Sequence, residues 1–356
     1  MKSIKRRVKH TIKAVFSKIK SQRQYNRYIK KIRNQLNMEK SGLPQLAKAQ
    51  EDAIQAFWAN YHVKPDLEWF RLFYAKTGNE TPEYVTDPIF HQKIKIAMNE
   101  PAFANVWGDK AYIDHFVKGV KTVECVVRNV NGRFLNNQFE LIDQKQAQEI
   151  MDRYEALVIK PSTNTHTGIG VELIHAPFDL GKLTNEYKKN FVIQVPLRQH
   201  PDMGKLNASS INTMRINSVL FETEAHVMSA FVKVGQAGEF ADNHGKDRYF
   251  IGIREDGTYM DYAIDHNLKK HSTIPSGFAF AGQPVPFFDR VCAAVEKAHK
   301  CIPHFGFAYW DICVNESGEP VIVEINLRNP DTNIAQVTGN PFLGKYTEQI
   351  MEYISK

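Results

Sequence analysis

The chain has 356 residues, 43% hydrophobic and 24% charged, which is the composition of a globular protein large enough for two or three domains. Its four cysteines form no Cys-x-x-Cys pair and its histidines show no metal-binding spacing, so we predict neither a disulfide framework nor a zinc site and expect a reducing compartment. No apolar run approaches the roughly 18 residues of a membrane span, and the first residues lack the apolar region of a secretory signal.

Residues 1–40 carry the basic character of the chain. They hold 14 Lys and Arg residues against one acid, Glu39, and the rest of the chain has a net charge of −6. Apolar residues recur there at three- and four-residue steps, which predicts a helix with one apolar face: Ile4, Val8, Ile12, Val15, Phe16 and Ile19. An anionic membrane surface is the first candidate partner. Packing on the body or on a second subunit, as in a homodimer, comes second, and nucleic acid comes last because no further basic patch with aromatics follows.

Residues 41–120 are predicted to be mainly helical. The segments "QLAKAQEDAIQAFWANY" and "DLEWFRLFYAKTG" carry apolar residues at helical spacing, and Gly78 marks the end of the second helix. We expect the Met, Trp and Phe side chains of this region to lie in a core rather than to contact a ligand.

From about Thr122 the pattern changes to short apolar runs with turn signals such as Asn131-Gly132 and Asp256-Gly257. Strands are predicted in "KTVECVVRNVNGRFL", "EALVIKPS", "NFVIQVPL", "INTMRINSVLF", "AHVMSAFVKVG" and "RYFIGIREDGTYMDYAI". Helices are predicted in "PFFDRVCAAVEKAHKCI" and in the final "GKYTEQIMEYISK". A helical region followed by mixed strands and helices indicates the α+β class.

The segment "YWDICVNESGEPVIVEINLRNP", residues 309–330, places acids inside two apolar strands. A turn centred on 317–318 sets Asp311 opposite Glu324, with Asn326 two residues further along the same face. The other face is predicted to be apolar, with Ile312, Val323 and Ile325. Converging oxygen ligands of this kind suit Mg²⁺ bound together with phosphate. The alternative is an exposed edge hairpin whose acids are solvated.

The segment "ALVIKPSTNTHTGIGVELI", residues 156–174, places Lys160 at the end of an apolar run. The loop that follows is rich in hydroxyl residues and contains Gly168 and Gly170, so backbone N–H groups can approach phosphate oxygens. An ordinary Lys-Pro turn explains the same residues, and no P-loop motif is present. Together with the predicted magnesium site, the segment indicates a nucleotide.

The order of these segments resembles the ATP-grasp fold and, more narrowly, the sugar-transfer-associated ATP-grasp proteins of surface-polysaccharide loci. The resemblance runs from about residue 50 to 350. Its motifs are "FHQKIKIAMNE", "GDKAYIDHF", "SINTMRINS", "ADNHG" and "WDICVNESGEPVIVEINLRNP". It implies two α+β subdomains that clasp ATP: a small one at 121–200, with the lysine strand, phosphate loop and hinge, and a large one at 201–356, with the metal and catalytic site.

The resemblance also implies roles for single residues. Lys110 and Lys160 would contact the ATP phosphates from two strands, and Lys160 and Arg215 would be catalytic. Further ATP contacts are implied for Thr165, Thr167, Gly168, Gln194, Val195, Leu197, Asn212, Asp242 and Asn243. Mg²⁺, as two ions, would be bound by Asp311, Glu324 and Asn326. The chain departs from the family pattern in a phosphate loop with fewer glycines, in Lys233 where relatives often carry Arg, and in a charged "NHGKDRY" segment.

The activity implied by the resemblance is an ATP-dependent carboxylate–amine ligase that forms a C–N bond through an acylphosphate. Its substrates would be a small-molecule or lipid-linked glycan precursor of a capsule or O-antigen, and an amine such as an amino acid. The expected location is the cytoplasm, peripherally on the inner face of the membrane. The alternatives are a sugar or glycan kinase on the same fold and a non-catalytic, nucleotide-binding scaffold of a polysaccharide complex.

Overall fold

The computed structural model describes residues 26–27, 29–30, 32–34, 42–163, 169–240, 248–328 and 332–355. The apolar stripe predicted for the basic N-terminal helix lies outside the described residues. None of the described helices is both long and apolar enough to cross a membrane.

Helices occupy the first part of the described chain and recur between and after the strands. Their bounds are α1 Lys48–Ala59, α2 Leu67–Thr77, α3 Asp87–Ile89, α4 Lys95–Met98, α5 Ala104–Trp107, α6 Ile113–Phe116, α7 Gln144–Met151, α8 Leu180–Tyr187, α9 Pro201–Gly204, α10 Phe288–His299, α11 Thr332–Val337 and α12 Thr347–Ser355. A π-helical turn covers Phe90–Ile94, between α3 and α4, and 3₁₀ turns cover Pro101–Phe103 and Gly344–Tyr346. We call residues 42–116, which include α1 to α6, the helical region.

The strands form two sheets. Their bounds are β1 Lys121–Thr122, β2 Cys125–Val130, β3 Arg133–Leu135, β4 Leu141–Ile142, β5 Ala156–Pro161, β6 Glu172–His175, β7 Phe191–Gln194, β8 Thr213–Phe221, β9 Glu224–Val234, β10 Tyr249–Ile253, β11 Tyr259–Asp265, β12 Lys270–His271, β13 Phe307–Val314 and β14 Pro320–Asn326. The large sheet has the order β1-β14-β13-β8-β9-β10-β11-β12, and the small sheet has the order β4-β3-β2-β7-β5-β6. Strand β1 runs parallel to β14, whereas the other described pairs are antiparallel. This architecture confirms the predicted α+β class.

Local sequence signals account for several element boundaries. Helix α2 begins where the Asp66 side chain accepts a hydrogen bond from the Glu68 N–H, and it ends at Gly78, whose φ of 75° is left-handed. In the hairpin between β2 and β3, Asn131 and Gly132 have φ values of 51° and 85°. Two consecutive positive φ values are the requirement of a type I′ turn. The predicted helix end and hairpin turn are therefore confirmed.

The two faces of the large sheet carry separate cores. On one face Trp310 and Ile312 pack in the core that includes α10. On the other face Tyr309 joins Trp58 and Trp69 in the core of the helical region. The Trp and Phe side chains of α1 and α2 thus belong to a core, as predicted, whereas Phe103 is 40% exposed. Because successive residues of a strand face opposite sides, Asp311 lies on the face that the helical region covers.

A buried hydrogen-bond network holds α10 against the centre of the large sheet. Ser218 Oγ lies 2.8 Å from His299 Nδ1 and accepts from Trp310 Nε1 at 2.8 Å. His299 Nε2 donates to the Phe305 carbonyl oxygen at 2.8 Å. Since a carbonyl can only accept, the proton is on Nε2, and Nδ1 accepts from the Ser218 hydroxyl. Burial lowers the pKa of His299 to about 4, so the ring is neutral near pH 7.

Candidate active site

In the hairpin of β13 and β14 the predicted acids lie opposite each other, but the residues nearer the turn pair in a different register from the predicted one. Asp311 is paired with Glu324, as predicted. Nearer the turn, Ile312 is paired with Ile322, so Val323 is the extra residue of a β-bulge. Val323 was predicted to lie on the apolar face, which is wrong. Val323 is half-buried, does not belong to the core around Trp310, and is one of the residues that line the space between the two sheets.

The Asp311 carboxylate is buried between two cations from neighbouring strands. Arg215, on β8, donates from Nε to Oδ1 at 2.5 Å and from a terminal nitrogen to Oδ2 at 2.9 Å. Lys233, on β9, donates from Nζ to Oδ1 at 2.8 Å. Burial by itself would raise the pKa of the Asp311 carboxyl, but Arg215 and Lys233 together hold that pKa well below its ordinary value. Two ion pairs therefore offset the cost of burying this acid, and sequence reasoning did not identify them.

The Glu324 carboxylate meets a cation from outside the large sheet. Lys110 Nζ lies 3.1 Å from Glu324 Oε1. The resemblance implied that Lys110 comes from a strand, but it lies in the turn between α5 and α6. Its backbone N–H donates to the Ser162 carbonyl, just beyond β5, at 3.0 Å. This contact fixes Lys110 beside the end of the small sheet.

Arg128 holds the turn that carries Lys110. The side chain is fully buried in β2, and its Nε donates to the Ala111 carbonyl at 2.8 Å. A terminal nitrogen donates to the Asp114 carboxylate, and the guanidinium lies 4.1 Å from the centroid of the Phe139 ring. Sequence reasoning missed this residue, although an arginine within the apolar run "CVVRNV" is a usable signal because a buried charge must be paired.

Lys160 enters the same space from β5 of the small sheet. The residue is 7% exposed, and its ammonium forms no hydrogen bond with the described residues. Burial and the neighbouring Lys110 lower the pKa of Lys160 to about 8, against the opposing effect of Glu324. An ammonium with this pKa is still largely protonated at neutral pH and gains from a negative partner.

The electrostatic balance of this site favours an anion. Within the part of the chain that the structure describes, four cations (Lys110, Lys160, Arg215 and Lys233) face two carboxylates (Asp311 and Glu324). All six side chains are buried except that of Glu324, which is 25% exposed. Excess positive charge in a weakly hydrated site attracts multiply charged anions such as a polyphosphate.

The two sheets are joined at a small cleft of about 10 Å³, which is lined by Lys110, Ile113, Asp114, Thr122, Val123, Cys125, Gln194, Ile322 and Val323. The chain passes from the large to the small sheet at Glu124 and returns after Gln194, and the Val195 N–H donates to the Glu124 carbonyl at 3.0 Å. Gln194 is buried, and Val195 and Leu197 are half-buried. Of the three residues predicted at the adenine pocket, Gln194 lines the cleft, and Val195 and Leu197 follow it in the connection between the sheets.

Asn212 is placed differently from the other predicted nucleotide contacts. The side chain is fully buried, and its Nδ2 donates to the carbonyls of Met203 and Asn207 at 2.9 and 2.8 Å and to Gln199 Oε1 at 3.0 Å. These bonds brace the loop before β8. Thr165, Thr167, Gly168, Asp242 and Asn243 lie outside the described residues.

The donor set on β13 and β14 fits Mg²⁺ delivered with a phosphate. Asn326 follows Glu324 on the same face, and its Nδ2 is buried without a hydrogen-bond partner among the described residues. No group of three or more His, Cys, Asp or Glu side chains in the described ranges could hold a metal ion. Mg²⁺ needs only one or two carboxylates when phosphate oxygens and water complete its octahedron, so two carboxylates and an amide are sufficient.

Comparisons with known proteins were made for sequence and for structure. The model of the sugar-transfer associated ATP-grasp family matches residues 175–352. No curated protein sequence matches the chain. Among solved structures, the VanG D-Ala:D-Ser ligase from Enterococcus faecalis is 13% identical with a TM-score of 0.43, over 70% of this chain and 62% of that one. An L-amino acid ligase from Bacillus licheniformis is 12% identical with a TM-score of 0.38, over 64% of this chain and 42% of that one.

We predict that Asp311→Asn destabilises the fold far more than Glu324→Gln. Removing the Asp311 charge leaves Arg215 and Lys233 buried without their common partner, which should lower the free energy of unfolding by about 3–5 kcal/mol. Glu324 is partly hydrated and pairs with one cation, so its neutral variant should cost less than Asp311→Asn. Denaturant unfolding of both variants measures the difference. Equal losses would contradict the central role of Asp311.

Proposed function

The chain belongs to the sugar-transfer associated ATP-grasp family, and we propose that it is an ATP-dependent carboxylate–amine ligase that acts through an acylphosphate. The observation that carries the proposal is the group of buried cations that surrounds Asp311 and Glu324 and that outnumbers these acids among the described residues. The family's association with sugar transfer supports a glycan acceptor, namely a precursor of a cell-surface polysaccharide such as a capsule or O-antigen.

ATP is proposed to lie in the cleft, with the two sheets as the subdomains that clasp it. Lys110 and Lys160 would reach the phosphates from the turn and from β5; Lys110 pairs with Glu324, and the charge of Glu324 acts on Lys160. The adenine would be held along the connection by Gln194, Val195 and Leu197. Further proposed ATP contacts are Thr165, Thr167, Gly168, Asp242 and Asn243.

Asp311, Glu324 and Asn326 are proposed to hold Mg²⁺, as two ions bound with the phosphates. The metal would neutralise phosphate charge and polarise the bond that breaks. The protein's own contribution is to keep these oxygen donors on one sheet face. Arg215 and Lys233 hold the Asp311 carboxylate ionised, because their charges keep its pKa low.

The proposed reaction has two steps. An acceptor carboxylate oxygen attacks the γ-phosphorus, the bond to the bridging oxygen of ADP breaks, and an acylphosphate forms. An amine then attacks the acyl carbon, phosphate leaves, and the nitrogen loses a proton to give the amide. Lys160 and Arg215 stabilise the charge on the transferring phosphoryl group. The cleft must exclude water, which would hydrolyse the acylphosphate.

We predict that the protein releases ADP and phosphate from ATP and Mg²⁺ when a suitable carboxylate and amine are both supplied, with an amide found by mass spectrometry. Glu324→Ala should lower this rate about 100-fold or more, because charge stabilisation in the transition state is lost. Glu319→Ala is the matched control, since Glu319 is an exposed acid near the turn of the same hairpin and pairs with Lys121.

Two outcomes would contradict the ligase. Transfer of phosphate to a sugar hydroxyl would identify a kinase. If cells carrying Glu324→Ala keep full function, the protein is a scaffold rather than an enzyme.

We predict that the affinity for ATP falls between about pH 7 and about pH 9, by at most tenfold per pH unit. Phosphate interacts more favourably with the protonated form of Lys160, whose pKa is lowered to about 8. Above this pH, Lys160 must therefore take up a proton when ATP binds. In Lys160→Arg the charge persists, and the fall should flatten. Titrations with ATP across this range measure the effect. A wild-type affinity independent of pH would exclude this role for Lys160.

The basic residues 1–40 are proposed to bind the anionic inner face of the membrane, so that a cytoplasmic enzyme meets lipid-linked glycan precursors. Deleting them removes a charge of +13, and each Lys or Arg contributes about 1 kcal/mol near an anionic surface. We predict that the deletion abolishes co-sedimentation with anionic vesicles and leaves ATP binding intact. If the truncated protein still sediments with such vesicles, this role of the segment is wrong.

A further inference from the structure

Tyr309 places a buried hydroxyl group beside the proposed metal ligands, and this hydroxyl has no hydrogen-bond partner among the described residues. The residue lies two positions before Asp311 on β13, so both side chains project from the same face of the large sheet. Tyr309 is 1% exposed, compared with 4% for Asp311 and 4% for Lys233. Its burial is therefore comparable with that of the charged residues of the candidate site.

The surroundings of the ring give this hydroxyl no apolar reason to be present. The ring belongs to the core of the helical region, and its centroid lies 6.5 Å from that of Phe90 and 6.1 Å from that of Phe342. Phenylalanine would fill the same space without the free-energy cost of burying an unpaired hydroxyl. Buried polar groups in native proteins are nearly always paired, so the hydroxyl of Tyr309 calls for a partner other than the described side chains.

The two neighbours of Tyr309 across the sheet differ in their hydrogen bonds. On β8, Asn217 is opposite Tyr309, and its Nδ2 donates to Ser229 Oγ at 2.9 Å. Ser229 Oγ in turn donates to a backbone carbonyl at 2.8 Å, so both of these side chains are paired. On β14, Asn326 is opposite Tyr309, and its buried Nδ2 has no partner among the described residues. The unpaired groups of Tyr309 and Asn326 are thus direct cross-strand neighbours.

These two groups and the charges next to them favour an anionic oxygen. Directly opposite residues on antiparallel strands have Cβ atoms about 4.5–5.5 Å apart, so one small group can contact both side chains. The amide Nδ2 can only donate a hydrogen bond, and the tyrosine hydroxyl can donate one as well. Arg215 is opposite Asp311 and hence diagonal to Tyr309, and with Lys233 it gives this trio a net positive charge. An ionised acceptor makes stronger hydrogen bonds than a neutral one.

We propose that the Tyr309 hydroxyl and the Asn326 amide bind the carboxylate of the acceptor and orient it for the first step of the proposed reaction. The term acceptor rests on the proposed ligase function, whereas the carboxylate site itself rests on the two unpaired groups. Asn326 serves both partners, because its Oδ1 is available to the metal while its Nδ2 donates to the carboxylate. Tyr309 is thus a specificity-determining residue that favours a carboxylate over a neutral sugar hydroxyl.

The stability of two tyrosine variants tests whether the hydroxyl has a partner within the chain. Tyr309→Phe removes a hydroxyl without a described hydrogen bond, so the midpoint of denaturant unfolding should stay the same or rise. Tyr84→Phe is the matched control, because Tyr84 is fully buried in the same core and its hydroxyl donates to Thr77 Oγ1 at 2.9 Å. The control loses a hydrogen bond and should unfold at a lower midpoint. An equal loss in Tyr309→Phe would reveal a structural partner and would overturn the proposal.

Acetate tests the carboxylate site in the full chain without knowledge of the natural acceptor. Tyrosine is labelled with ¹³C at Cζ, whose chemical shift responds to the hydrogen bond of the hydroxyl. The signal of Tyr309 is the one missing from the spectrum of Tyr309→Phe, and that of Tyr84 is assigned in the same way. Samples contain acetate, or chloride at the same ionic strength as the control, each with and without Mg²⁺ and a non-hydrolysable ATP analogue.

We expect acetate to shift the Tyr309 signal in a saturable manner, while chloride leaves it in place and the Tyr84 signal does not move. In samples without Mg²⁺, Asn326→Ala should weaken the binding of acetate about tenfold, since one hydrogen bond to a charged group is lost. Tyr84→Phe should bind acetate with the affinity of the wild type.

The proposal is overturned if the Tyr309 signal does not respond to acetate in any sample, an outcome that would favour a bound water as the partner of the hydroxyl. Binding of the ATP analogue is measured in the same samples. Failure of the analogue to bind would count against the proposed ligase, whereas a saturable response to acetate without nucleotide would still establish the carboxylate site. The two proposals can therefore fail separately.

Discussion

The burial of Asp311 between Arg215 and Lys233 is the constraint on which the site depends. The three side chains come from β13, β8 and β9, which are neighbours in the large sheet. None of them could be buried alone, because an unpaired charge in this position would cost several kcal/mol. A shift of any of these strands by one residue would move its charged group into the apolar core around Trp310. The ion pairs among these three side chains thus fix the register of β8 and β9 relative to Asp311 on β13.

Glu324 connects this trio to the other half of the cleft. The large sheet presents an acid that is only partly buried, and Lys110 and Lys160 approach it from the turn and from the small sheet. Arg128 keeps the turn in place through the Ala111 carbonyl. Each half of the cleft is therefore held by its own hydrogen bonds. Among the described residues, the excess of positive charge lies where the two halves meet. An anion that bridges the halves would relieve that repulsion.

The pairing of Asp311 with Glu324 was predicted from the sequence of the hairpin alone. A short turn limits the possible register of the two strands to a few positions, and the alternation of side chains decides which face each one occupies. The prediction succeeded even though its register was inexact. The pairs nearest the turn are offset by one residue, and the bulge at Val323 compensates for this. Spacing cannot reveal a bulge, since an extra residue leaves no mark on an apolar run. Val323, at this bulge, does not join the expected core and lies at the edge of the cleft.

The sequence by itself determined the α+β class, the hairpin turns, the helix end at Gly78 and the meeting of three oxygen-bearing side chains on one face. These features follow from periodicity and turn chemistry over a few residues. Only the tertiary structure decided what neutralises Asp311, because Arg215 and Lys233 lie 96 and 78 positions away along the chain. It also decided that Lys110 comes from a turn and that Lys95 donates to the Arg328 carbonyl across 233 positions. Contacts of this range depend on which strands and helices become neighbours, and no local pattern specifies that choice.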